Sequence, residues 1–242
     1  MKRTAQALLL VLTGLGLLHT ALFTDLYLRY VKAGLRPPLI ASGVLLLLVG
    51  LAGAAARGRG QDHGHPHGHD HCAAPRIAWL LFLPALSLLL FAPPALGAYT
   101  ASRANDGPVP AGKRFDPLPD TSSPLPMTLS EFTARVQQDR RQGVRGRSVR
   151  MTGFVTPAGQ GGGWYLTRIV FTCCAADSQS VKVRMYGTPA LPANTWVAVT
   201  GTWHPRGTLG TRSAPAALDV HGVQPVPQPV NAYTDDLPLT PS

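Results

Sequence analysis

Three stretches of this chain contain no Asp, Glu, Lys or Arg: Ala5–Phe23, Leu39–Ala56 and Ile77–Tyr99. Each approaches the ~20 apolar residues a helix needs to cross about 30 Å of hydrocarbon. In that medium the backbone must satisfy its own hydrogen bonds, so a spanning segment is helical. The pattern predicts three transmembrane helices, the third kinked by Pro84, Pro93 and Pro94. Lys2 and Arg3 resemble the start of a signal peptide, but the apolar run is long and no small-x-small site precedes Asp25. The first span therefore reads as a retained anchor. The same two cations favour a cytoplasmic N-terminus. Three crossings then leave the loop after the second span inside and the chain beyond residue 99 outside.

That loop, 57–76, holds five of the chain's eight histidines. His63, His65, His67, His69 and His71 alternate with Gly, Pro and Asp, and Cys72 follows at once. Imidazole suits zinc and other transition metals, and a thiolate strengthens the preference for zinc. Gly and Pro prevent a rigid cage, and the spacing lacks the ligand pairs of a structural zinc finger. A short tract of this composition predicts weak binding of Zn or another transition metal.

Residues 1–99 thus form a membrane region. Residues 100–127 carry six prolines and no apolar periodicity, which predicts a semi-extended linker. A domain over 128–242 follows. Thr128-Leu-Ser-Glu131 has the capping-box pattern, and Leu129, Phe132 and Val136 share one helical face, so 129–140 reads as a short helix. Ser148–Thr156, Trp164–Thr172, Val181–Tyr186, Trp196–Trp203 and Leu218–Val226 are rich in Val, Thr and aromatics and are separated by Gly and Pro. The expected fold is a small all-β domain, an OB-fold-like five-stranded barrel behind one helix. A nucleic-acid partner, common for that fold, is not expected here, because the aromatics fall at core positions and the domain is tethered to a membrane. Arg135, Arg140, Arg141, Arg145, Arg147 and Arg150 read as a solvated face or a contact with membrane lipids.

Cys173 and Cys174 are adjacent. Neighbouring Cα atoms are about 3.8 Å apart across a trans peptide, less than ordinary disulfides span. The pair is therefore a set of buried small hydrophobes, a strained redox-labile bridge, or two thiolates for a soft metal. Joint ligation requires a turn, which Ala175-Ala176-Asp177 can supply. His204 and His221 are further candidate ligands if the fold brings them near.

The chain resembles the YcgQ-like family of uncharacterised bacterial membrane proteins, regarded as permease subunits. The resemblance covers nearly the whole chain and rests on Gly153-Phe154-Val155, on Arg168 followed by Phe171, Cys173-Cys174-Ala175-Ala176-Asp177, and on Trp196, Val197, Val199 and Gly201. It implies a multi-span permease as partner, a multi-pass place in the bacterial plasma membrane, and a role for Cys173, Cys174 and Asp177 as ligand or redox groups. His19 is the sole titratable residue inside a span, so the helices offer no ion pathway of their own. No Gly-x-Ser-x-Gly or His-Glu-x-x-His occurs. The expected function is a non-enzymatic auxiliary or regulatory subunit of a permease, linked to zinc-like metal handling. The alternative is a membrane-tethered thiol–disulfide protein.

Overall fold

The computed structural model describes residues 2–58, 96–104, 115–120, 123–159 and 163–238. They form two compact units, one of residues 2–26 and 34–58, the other of residues 27–33 and the described residues from Leu96 onward.

In the first unit, α1 (Lys2–Phe23) and α2 (Arg36–Gly58) are the two helices among the described residues that are long and apolar enough to cross a membrane. They suit a membrane anchor, and the first also suits a signal sequence. They run antiparallel. The buried positions are Ala7, Gly14 and Ala21 on α1 and Gly43 and Gly50 on α2, all small and seven residues apart. A Cβ on Gly14 would lie 2.8 Å from the Gly43 carbonyl oxygen, and one on Gly50 would lie 3.1 Å from that of Ala7. Small residues let helix backbones approach this closely, and a seven-residue repeat keeps the seam facing its partner. At one end, Arg36 Nε donates to the Ala21 carbonyl at 2.8 Å, satisfying a C-terminal acceptor of α1. Leu8, Leu12, Leu15, Leu45, Leu48 and Leu51 are left exposed.

The third expected span lies outside the described residues as far as Ala95. Its last residues do not continue an apolar span. Ala98–Arg103 is a short helix, α3, that packs on the sheet of the second unit, burying Ala98 and Ala101. Asn194 Oδ1 accepts the Ala98 N–H at 2.6 Å, and the Ala104 carbonyl accepts from Lys182 Nζ at 2.8 Å.

The second unit holds a mixed sheet of six strands, one more than the sequence suggested: β1 (Leu125–Pro126), β2 (Val149–Pro157), β3 (Trp164–Val170), β4 (Gln179–Tyr186), β5 (Trp196–Trp203) and β6 (Ala217–Pro225). Their order is β1-β2-β3-β4-β6-β5, and β2 also pairs with β5. The pairs β1–β2 and β4–β6 are parallel and the rest antiparallel. Strand β1 has only two residues, too short to show a period, and it falls in the stretch read as linker. Leu118, Leu125 and Met127 from that stretch join the core.

Helix α4 (Leu129–Gln138) buries Leu129, Phe132 and Val136, the face read from the sequence. Its cap is half of a capping box. Thr128 Oγ1 accepts the Glu131 N–H at 3.1 Å, while Glu131 turns forward to take Arg135 Nε at 2.9 Å. The arginine competes for the carboxylate that would otherwise reach back. Thr128→Ala should therefore destabilise the domain by about 1 kcal/mol. Glu131→Gln, which can still accept from Arg135, should change it by less than about 0.5 kcal/mol. Urea unfolding followed by tryptophan fluorescence checks both, and equal losses would mean that the Glu131–Arg135 ion pair contributes as much as the Thr128 cap.

Candidate functional site

Strand β3 ends at Val170, and Phe171 anchors the chain beyond it. Its ring stacks on Tyr233 with centroids 4.7 Å apart, and its N–H donates to the Tyr233 carbonyl at 3.1 Å. The chain then leaves the sheet through Thr172, Cys173 and Cys174, makes one 3-10 turn at Ala175–Asp177 and enters β4.

Asp177 organises this turn. Its carboxylate accepts the backbone N–H of Cys173 at 2.7 Å, of Thr172 at 3.0 Å and of Cys174 at 3.3 Å. Three adjacent donors that would otherwise lack partners converge on one anion. The turn is held from its other side by Tyr27–Ala33, the connector between α1 and α2. Lys32 N–H donates to the Cys173 carbonyl at 2.9 Å, Ala175 N–H donates to the Tyr30 carbonyl at 2.7 Å, and Val31 forms an antiparallel bridge with Cys174. The sequence reading missed this contact. Its signal is the Tyr-x-x-Tyr-Val run at Tyr27, Tyr30 and Val31, a strand-like composition too short to stand out between two apolar helices.

Both cysteines are free, Cys173 exposed and Cys174 half-buried. One ligand atom from each of Cys173, Cys174 and Asp177 lies within 4.8 Å of the other two. The turn thus brings together side chains that a continuous strand would send to opposite faces. The thiol of Cys173 hydrogen-bonds to the Asp177 carboxylate, which with the neighbouring Cys174 pushes its pKa up to about 11. Asp177 is held below the usual carboxylate range, chiefly by the same thiol. A nucleophilic cysteine needs the opposite setting, a nearby cation or helix N-terminus that favours thiolate. The carboxylate beside Cys173 therefore favours its protonated, thiol form.

His204 does not join this cluster. Its Nδ1 is 2.7 Å from Asp219 Oδ1, and its ring stacks on Tyr186 at 4.2 Å. His221 is exposed on β6. His63, His65, His67, His69, His71 and Cys72 lie outside the described residues.

Arg168 has a structural task. It is buried on β3, where Nη2 donates to the carbonyls of Asn231 at 3.0 Å and Thr234 at 2.9 Å, and the guanidinium lies over Trp196. Burial pulls its pKa down to about 10, so it remains a cation at neutral pH. It fastens the segment that carries Tyr233, and Tyr233 supports Phe171 at the foot of the Cys turn. The arginine run is not a uniform basic face. Arg135 is turned inward between Glu131 and Asp139, and Arg147 pairs with Asp120 at 3.0 Å.

Asp177→Asn should release the Cys173 thiol. Returning its pKa from about 11 toward 9.0 raises the thiolate fraction at pH 8, and the lower intrinsic nucleophilicity offsets part of that gain. The net expectation is alkylation of Cys173 faster by about tenfold, located by tandem mass spectrometry. An unchanged rate would mean that the carboxylate does not hold the proton.

No curated protein and no solved structure matches this chain. Residues 133–234, which include β2–β6, Arg168 and the whole Cys turn, match the DUF1980 C-terminal domain, a family of uncharacterised function.

Proposed function

We propose that this protein is a non-enzymatic auxiliary subunit of a multi-span permease in a bacterial plasma membrane, serving the handling of a zinc-like transition metal. The observation that carries the reading is the backbone pairing of Tyr30–Lys32 with Cys173–Ala175. It ties a turn bearing two free thiols and a carboxylate to the connector of two apolar helices. Those helices carry His19 as their sole titratable residue between Ala5 and Phe23 and between Leu39 and Ala56, so transport requires another protein. Their exposed leucines suit lipid or partner helices. The His-rich stretch adds donors of the same metal preference. We also read the circuit β2–β3–β4–β6–β5–β2 as the OB-like barrel, a stiff platform from which the β3–β4 turn projects. Purification of the full chain in mild detergent should recover a multi-span partner in near-stoichiometric amount. Recovery of the chain without one would sink the subunit reading.

The same pairing supports three crossings. If α1 and α2 both span, their connector lies on one face, and so does the Cys turn bonded to it. The chain leaves α2 at the opposite face and must recross before Leu96, and Ile77–Ala95 is free of charged residues. With Lys2 and Arg3 inside, the Cys turn is extracytoplasmic and Cys72 cytoplasmic. An impermeant thiol reagent should label the Cys72→Ser protein on intact cells. The Cys173→Ser/Cys174→Ser protein should be labelled only after permeabilisation. Labelling of both proteins from the same side would refute this topology.

A further inference from the structure

We propose that Cys173 and Cys174 together bind one divalent d10 cation of the zinc and cadmium class through their two sulfurs, with Asp177 as the positioning residue of the site and not a ligand. This deepens the metal-handling reading by naming its ligands.

Cysteine is among the residue types most often buried. Here Cys173 is exposed, and neither cysteine is bridged to another. Burial and covalent cross-linking therefore do not account for the pair. Metal–sulfur distances of about 2.3 Å in a tetrahedral site set two sulfurs roughly 3.8 Å apart. The ligand atoms here lie within 4.8 Å of one another, so a modest side-chain rotation seats one ion between the sulfurs. The backbone beneath them is fixed from two sides, by the Asp177 carboxylate and by Tyr30–Lys32, so little ordering remains to be done on binding.

Two thiolates favour a soft or borderline ion over magnesium or calcium, which prefer oxygen donors. The carboxylate of Asp177 already accepts three backbone N–H groups, which use most of its lone-pair directions. It holds the turn and supplies negative charge beside the ion. On binding, each thiol gives its proton to solvent and two metal–sulfur bonds form, so one divalent ion replaces two protons. Structural zinc sites are closed by four protein ligands, whereas two leave positions open. A two-sulfur site is one from which an ion can be passed to an incoming donor.

Cadmium reports such sites by its sulfur-to-metal charge-transfer absorption in the ultraviolet. The test uses the full chain in detergent with Cys72→Ser and with His63, His65, His67, His69 and His71 replaced by Ala, so that the His-rich stretch takes up no ion and the only thiols are Cys173 and Cys174. Titration with Cd2+ should produce a band that saturates at one ion per chain. Cys173→Ser or Cys174→Ser should remove about half of the band per ion, as expected when one of two thiolates is lost. Asp177→Asn should weaken binding by about 10- to 100-fold while leaving the band per bound ion unchanged. Circular dichroism of each variant confirms that the sheet is intact. Failure of the band to appear at micromolar Cd2+, or its survival when both cysteines are serine, overturns the site. A changed band per ion in Asp177→Asn overturns the positioning role. Binding is read on the isolated chain, so this result is separate from whether a permease partner is recovered.

Discussion

The second unit depends on one strand, β2, that is held along both of its edges. Strand β2 pairs with β5 from Val149 to Phe154 and with β3 from Phe154 to Pro157. Phe154 pairs with both, so β5 and β3 lie on opposite edges of β2, and Gly153 stands beside that position. A Cβ on Gly153 would lie 2.6 Å from the Thr167 carbonyl oxygen, so no larger residue fits without moving the sheet. Glycine within a strand often marks such a close backbone approach. A second glycine, Gly201, sits where the β5–β6 register shifts, packed against Asp219 and Leu218. Met151, Val155, Leu166, Val183, Val199 and Leu218 from these strands form part of the core.

The antiparallel pairing of β3 and β4 brings Val170 opposite Gln179, and the Cys turn is built between them. Its support passes through the C-terminal segment. Arg168 holds the carbonyls of Asn231 and Thr234, Tyr233 between them stacks on Phe171, and Phe171 precedes the turn by one residue. A buried guanidinium is costly unless its donors are used. Among the described residues Nη1 of Arg168 has no hydrogen-bond partner, so the carbonyls and the Trp196 ring offset only part of the cost. A position that accepts this cost is one where the segment has to be fixed.

The helical unit follows a different rule. Its two helices bury one small residue per heptad and leave their large side chains outward. In water this would invert the usual arrangement of a helix pair, whose seam carries the large apolar residues. In hydrocarbon, lipid is as apolar as leucine, and close backbone packing drives association. The small-residue seam and the exposed leucines are therefore compatible with a membrane anchor.

Much of this protein was legible before any coordinates. Two unbroken uncharged runs read as helices, and α1 and α2 lie there. The β-branched and aromatic runs marked five strands to within two residues at each end, and Thr128 marked the start of α4 because its hydroxyl meets a donor three residues away. These are local relations, and the sequence carries local relations directly. The sixth strand, the parallel pairings and the packing of Leu118, Leu125 and Met127 beneath a supposed linker depend on partners distant in the chain. The Cys turn shows the division most plainly. The sequence by itself determined that two thiols and a carboxylate fall within five residues. Only the tertiary structure decided that the carboxylate is spent on three backbone donors, that His204 pairs with Asp219 away from the cysteines, and that the connector of two apolar helices grips the turn. Hydrogen-bond partners in a turn are chosen by whatever the fold brings within about 3 Å, and spacing along the chain does not record that choice.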